Sequence, residues 1–217
     1  MATVLVFAPH NDDEVLGVGG TIKKLTQAGN DVIICEATTG PNAERADRIK
    51  KEALRAHELL GIKDTIFLDL PLVRLNTVPK DEINAAFGKV VKEIRPDAAY
   101  IPHSGDMHID HRVVADAAMV ALRPVDAPFV KAIYAYETLS ESEWNIPSPE
   151  NIFIPTSFSN ITGYLDAKIE AMKCFETQLR EFPQPRSAEA IISLAKVRGS
   201  TICVDAAEAF KVIRLIQ

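Results

Sequence analysis

The sequence predicts an α/β fold: a Rossmann-like, doubly wound and mostly parallel sheet in a single domain spanning residues 1–217. Three observations carry that expectation. Short apolar runs alternate with amphipathic helical stretches along the first 136 residues. With 217 residues and 47% apolar side chains, the chain can bury one sizeable core. The two segments richest in chemistry each follow an apolar run directly, as ligand loops do at the carboxyl ends of strands in such a sheet.

The first run, Thr3, Val4, Leu5, Val6 and Phe7, is short, β-branched and bounded by Pro9, so it reads as a buried strand. A helix is predicted over 14–27, with Leu16, Ile22 and Leu25 apolar and Gly29 just past its end. A second strand covers 31–37 and a loop 38–42, followed by a charged amphipathic helix over 43–60 that stops at Gly61. A short third strand at 65–68, a helix over 80–94 ended by Pro96, and a fourth strand at 98–101 complete the β-α-β-α-β-α-β alternation. A helix at 110–122 and a fifth strand at 130–136 follow. After Glu137 the pattern loosens into a long loop punctuated by Trp144, Pro147, Pro149 and Pro155, with a sixth strand at 151–154, placed to cover the crevice or to meet another subunit. Helices are predicted at 163–179 and 187–198, and 210–216 closes the chain as a strand or a helix.

Composition narrows the partners. A net charge of −6 and the lack of any Lys/Arg-rich run argue against nucleic acid and anionic membrane surfaces. No apolar run approaches the ~18 residues of a membrane span, and Met1-Ala2 leads straight into a strand without a signal-like segment. A cytoplasmic protein with a small, neutral or polar substrate is expected. Cys35, Cys174 and Cys203 are odd in number and far apart, each set among apolar residues, and read as buried small hydrophobes.

His10-Asn11-Asp12-Asp13-Glu14 ends the first strand with one imidazole and three consecutive carboxylates, a crowding that a divalent metal would offset. The other half of such a site is Ser104 to His111, after the fourth strand; four of the five histidines, His10, His103, His108 and His111, fall in or beside these windows. Strand order reverses between the first and fourth strands of a doubly wound sheet, so both windows face one crevice. His10 and Asp13 can reach one metal from a single turn, and His111 can reach it from across the crevice. Two imidazoles and one carboxylate leave the fourth position of a zinc ion open, as in a catalytic site. Asp12 is then free to act as general base. His108 is expected to be a cationic oxyanion stabiliser and acid, oriented and kept charged by Asp110. His103 and Asp106 are assigned to substrate contact. Glu14 sits in a first helical turn, where the dipole favours it, and His57, alone on a helix, reads as a surface or packing residue. Gly17-Val18-Gly19-Gly20 lacks the last glycine of a dinucleotide fingerprint, since Ile22 stands there; these glycines are expected to bring the helix close to the sheet.

Pro9-His10-Asn11-Asp12-Asp13-Glu14 with Gly19-Gly20-Thr21, together with Asp106-Met107-His108-Ile109-Asp110-His111, resembles the paired signatures of the LmbE-like/PIG-L zinc-dependent de-N-acetylases. Weaker likenesses lie in the helix ending Leu60-Gly61, in Lys168-Ile169-Glu170-Ala171 through Gln178, in Arg198-Gly199 and in Ala207-Glu208-Ala209-Phe210. The resemblance implies Zn2+ on His10, Asp13 and His111, Asp12 as base, and His108 as acid or oxyanion partner. It also implies an N-acetylglucosamine-type small-molecule substrate, contacted by an arginine on the second helix (Arg48, with Arg45 close behind), and a homo-oligomer, trimeric or hexameric. Hydration of an unsaturated carboxylic acid on the same zinc site is the alternative. Asn11 and Ile109 stand where the family often has proline, which is expected to alter loop stiffness rather than chemistry.

Overall fold

The computed structural model describes residues 1–40 and 42–217. Seven strands form one sheet: β1 (Thr3–Ala8), β2 (Asp31–Thr39), β3 (Asp64–Pro71), β4 (Ala98–Pro102), β5 (Ala132–Tyr136), β6 (Ser157–Asn160) and β7 (Ala207–Leu215). The helices are α1 (Asp13–Gln27), α2 (Ala43–Leu60), α3 (Lys80–Ile94), α4 (Ile109–Ala121), α5 (Leu165–Lys173) and α6 (Ala188–Thr201). The strand order is β3-β2-β1-β4-β5-β7-β6, parallel through β5, with β7 antiparallel to both β5 and β6. The predicted doubly wound sheet is therefore present, and its order reverses between β1 and β4.

Both faces are covered, as the alternation in β1 requires. Leu5 and Phe7 join the core under α3 and α4, with Phe87 stacked on Phe7 at 5.0 Å. Val4, Val6 and Ala8 point into the opposite core, under α1, α2, α5 and α6. The glycines of α1 serve the close approach expected of them. A Cβ on Gly17 would run into the ring of Tyr136, and one on Gly20 would lie 2.7 Å from Ile161. Tyr136 in turn donates its hydroxyl proton to the Phe7 carbonyl at 2.8 Å, tying β5 to the carboxyl end of β1.

Several expected elements differ. The sixth strand lies at Ser157–Asn160 rather than 151–154. Asn151 is taken up locally: its side-chain amide donates to the Ile146 carbonyl, and its own carbonyl meets His103 Nε2 at 3.0 Å, while Pro155 lacks an N–H for a ladder. The 163–179 helix stops at Lys173, because Thr177 is held by Glu52 of α2 through a 2.6 Å hydroxyl bond and Gln178 turns toward Arg186. The closing segment is a strand, β7. Of the 38–42 loop, Thr38 and Thr39 belong to β2, and Pro41 lies outside the described residues. Cys35 is buried as expected, but Cys174 is partly exposed and Cys203 exposed, the latter at a turn with φ 59°. His57 is no surface residue: it is buried in a polar cluster with Glu14 and Thr65. Among the described residues, no helix is long and apolar enough to cross a membrane.

One buried ion pair locks α1 in place. Glu208 of β7 accepts from the backbone N–H groups of Gly20 and Thr21 at 2.9 and 2.8 Å, and Lys168 of α5 bonds both Glu208 (2.6 Å) and the Leu16 carbonyl (2.8 Å). Removing one partner of such a pair strands a buried charge. Glu208→Ala is accordingly expected to cost about 3–5 kcal/mol of unfolding free energy, read from urea or guanidinium midpoints; a cost within the range of a surface substitution would show that the pair does not hold α1.

Candidate metal centre

The centre forms where β1 and β4 end. Because α1 starts immediately after β1, the residues from Asp12 onward fan out at roughly 100° per residue. Asp13 points across the crevice toward His111 in the first turn of α4. His10 Nδ1 lies 3.2 Å and His111 Nε2 3.1 Å from Asp13 Oδ2. At 3.1 Å the His111 nitrogen is close enough for a hydrogen bond but is not aligned for one: both His111 Nε2 and Asp13 Oδ1 are buried without any hydrogen-bond partner. A buried imidazole nitrogen left unpaired 3.1 Å from a carboxylate is a group that a cation held between them would satisfy. His10, Asp13 and His111 offer ligand atoms within 4.8 Å of one another, a set suited to a divalent ion such as zinc.

The electrostatics agree. Burial by itself would raise Asp13, yet His111 and His10 outweigh it and hold this carboxyl well below its ordinary range. Burial would lower His111, but Asp13 and Asp106 overcome it and push the imidazole up to about 10. His10 is likewise raised, by Asp110 and Asp13 against burial. The centre stabilises positive charge at the point where the three side chains meet.

Each imidazole is steered from behind by a carboxylate. Asp106 Oδ2 meets His111 Nδ1 at 2.8 Å, and Asp110 Oδ2 lies 3.3 Å from His10 Nε2. Outer carboxylates of this kind fix the tautomer and ring orientation of metal-binding histidines. This changes two sequence assignments. Asp106, assigned to substrate, is fully buried behind His111 and also accepts from the Ser142 hydroxyl at 2.6 Å. Asp110, assigned to orient His108, directs its carboxylate to His10 and to the backbone N–H groups of Val73 and Leu75.

His108 caps α4, its Nδ1 accepting from the Asp110 N–H at 3.1 Å. Its ring stands edge-on to His10, with centroids 4.5 Å apart. Burial and the neighbouring His10 push His108 down to about 4, so it is a neutral imidazole with its proton on Nε2, not the expected cation.

Asp12 is fully buried and has φ 151°, a strained conformation for a non-glycine residue; its N–H donates to the His10 carbonyl and to Glu14 Oε2, each at 3.1 Å. Oδ2 accepts from Arg186 at 3.0 Å, while Oδ1 has no partner. Burial, opposed by Arg186 and reinforced by Asp13 and Glu14, raises Asp12 to about 7, a value suited to a base working near neutrality. A cavity of about 360 Å³ opens over His10, Asp12 and His108, walled by Thr38, Arg45, Glu141 and Arg186.

Two sequence assignments lie outside that cavity. Arg48 is 59% exposed and paired with Glu52 and Glu176, whereas its neighbour Arg45 reaches the wall. His103 is buried against Phe153 and the Asn151 carbonyl. Arg186 is the residue that sequence reasoning missed; its only signal is a lone arginine between Pro185 and the helix cap Ser187.

Two imidazoles and a carboxylate that can hold a divalent ion, with a buried carboxylate on the same cavity at the switch point of a doubly wound sheet, form the arrangement of a metal-dependent enzyme that activates water. The particular family follows from comparison. The model of the PIG-L family, described as GlcNAc-PI de-N-acetylase, matches residues 5–122, and the chain belongs to this family. It is 30% identical over 177 residues, 78% of this chain and 88% of the other, to the uncharacterized deacetylase YaiS of Escherichia coli K12. It is 28% identical over 197 residues to the diacetylchitobiose deacetylase of Thermococcus kodakarensis, covering 82% of this chain and 70% of that one. The crystal structure of the conserved protein TT1542 from Thermus thermophilus superposes with a TM-score of 0.83 at 25% identity, over 100% of this chain and 97% of that one. Membership supports a metal-dependent, deacetylase-type hydrolase.

Arg186 lowers Asp12 against burial, so its removal raises Asp12 further and leaves less of it ionised at a given pH. In Arg186→Ala the acid limb of the kcat/KM profile is expected to move to higher pH, with part of the lost rate recovered on the alkaline side. An unmoved limb would show that Arg186 does not set the ionisation the profile reports.

Proposed function

We propose that the chain removes the acetyl group from an N-acetylglucosamine-type sugar or sugar conjugate, releasing acetate. The supporting observation is the meeting of His10 Nδ1 and His111 Nε2 on Asp13 Oδ2, at 3.2 and 3.1 Å, at the edge of a cavity that Asp12 also lines, with Oδ1 of Asp12 unpartnered. The similarity to a diacetylchitobiose deacetylase agrees with this substrate class.

In this reading His10, Asp13 and His111 hold Zn2+, which when bound polarises a carbonyl and makes water more acidic. Asp12 takes a proton from the attacking water on Oδ1 while Arg186 keeps Oδ2 in place. His108 donates its Nε2 hydrogen to the amide oxygen as negative charge grows there. As the new C–O bond forms and the C–N bond breaks, Asp12 passes its proton to the departing amine and acetate remains. Thr38 and Ser140 also line the cavity, the Thr38 hydroxyl donating to the Pro9 carbonyl at 2.8 Å and the Ser140 hydroxyl accepting from Arg186 at 3.0 Å.

A second reading, hydration of an unsaturated carboxylic acid, draws on one observation: two arginines, Arg45 and Arg186, wall the same cavity. Acetate assayed from N-acetylglucosamine conjugates separates the two. His111→Ala is expected to lose activity together with the ion held by His10, Asp13 and His111, whereas Asp12→Asn keeps that ion by elemental analysis and loses about 10²–10⁴-fold in turnover. Absence of acetate from every conjugate, with turnover of an unsaturated acid, would replace the first reading by the second.

We further propose a homo-oligomer, trimeric or hexameric, joined through the 137–160 loop. Trp144 (55% exposed) and Ile146 (76%) stand out from it, forming an apolar surface of the kind that subunits cover. Light scattering is expected to give three or six times the chain mass, and a monomer removes this proposal.

A further inference from the structure

Beside the centre, and unused by it, lies a second group of buried ionisable side chains: Glu14 of α1, Glu36 of β2 and His57 of α2. The two carboxylates are 0% exposed and the imidazole 3%. His57 Nε2 lies 3.1 Å from Glu14 Oε1 and 3.6 Å from Glu36 Oε1, and each residue supplies one atom within 4.8 Å of the other two. Both oxygens of Glu36 are shut from solvent and have no hydrogen-bond partner. Among the described residues, His57 is the only basic side chain within ion-pair distance of either carboxylate.

A fully buried glutamate is rare unless it is paired, and two of them on one imidazole are underpaired. One divalent cation balances two carboxylates and a neutral histidine. The two separations from His57 suit it: donors bound about 2.0–2.2 Å from a common ion stand roughly 3–3.6 Å apart. The outer nitrogen of His57 is also held, with Nδ1 2.8 Å from Thr65 Oγ1, as the outer nitrogens of metal-binding imidazoles are. In the tautomer that donates this Nδ1 hydrogen to Thr65, the Nε2 lone pair faces two carboxylates, an arrangement that a cation between them makes favourable.

We propose that Glu14, Glu36 and His57 bind a second divalent cation, separate from the one at His10, Asp13 and His111. Two oxygens and one nitrogen suit Zn2+ or Mn2+ rather than a soft monovalent ion. Its role is structural. It joins β2, α1 and α2 beneath the turn that carries the base, because the other oxygen of Glu14 accepts the N–H of Asp12.

The test uses Zn2+ as the probe. Wild-type protein, Glu36→Gln and His111→Ala are saturated with Zn2+, desalted and analysed for metal per chain, and wild-type crystals are measured at the zinc absorption edge. Two equivalents are expected in the wild type and one in each variant, with an anomalous peak among Glu14, Glu36 and His57. A single equivalent that Glu36→Gln retains and His111→Ala loses overturns the proposal and leaves the catalytic reading intact. A peak at the new position with none at His10, Asp13 and His111 supports the proposal and sinks that reading. The wild-type crystal decides even if Glu36→Gln fails to fold, since no peak among the three residues refutes the site.

Discussion

The structure depends on how three consecutive carboxylates are kept apart at the end of one buried strand. Asp12, Asp13 and Glu14 are all 0% exposed, so solvent relieves none of their repulsion. The helical turn that begins there sends them in three directions, and each finds positive or hydrogen-bonding company on a different element. Asp12 meets Arg186 before α6, Asp13 meets His10 and His111, and Glu14 meets His57 on α2. An isolated β1–α1 unit could not hold this turn. The segments brought to it from positions 57, 111 and 186 are what make it tolerable, so the long-range fold and the local chemistry stabilise each other.

The same logic runs one layer outward. Asp106 and Asp110 stand behind the two imidazoles, and each is held in turn: Asp106 by Ser142 and Asp110 by the backbone at Val73 and Leu75. Glu141 accepts from the N–H of His108 through its side chain and from that of Met107 through its carbonyl. The 137–146 segment is thereby fastened to the second motif although it has no regular structure. Ser140 and Glu141 line the cavity and Leu139 packs on the core, while Trp144 and Ile146 face outward.

Local signals made the sheet legible: apolar runs, prolines at strand ends, and the α2 stop at Gly61 with φ 79°. The convergence of His10, Asp13 and His111 was legible too, because the two motifs follow strands that a doubly wound order makes neighbours. What the sequence did not convey was the direction in which a side chain on a given turn points. Asp106 and Asp110 were recognised as part of the site but placed on the wrong partners, because a residue before a helix and one in its first turn differ by a rotation that spacing does not encode. Arg48 and Arg45 are three apart on one helix, yet only Arg45 faces the cavity. His57 looked solitary because Glu14 and Glu36 are 43 and 21 positions away. Arg186 belongs to a loop whose course is fixed only by the elements it packs against.

Asp12 combines these constraints. A backbone at φ 151° costs on the order of 1–3 kcal/mol for a side-chain-bearing residue, and glycine would remove the strain. Glycine would also remove the carboxyl that meets Arg186 and shares a cavity with His10. The strained turn points the Asp12 N–H at Glu14 Oε2, and the side chain meets Arg186. Away from Arg186, burial would leave more of the Asp12 carboxyl protonated near neutrality. The strain and Arg186 therefore act on the same quantity: one sets where the carboxyl sits, and the other sets how much of it is ionised there.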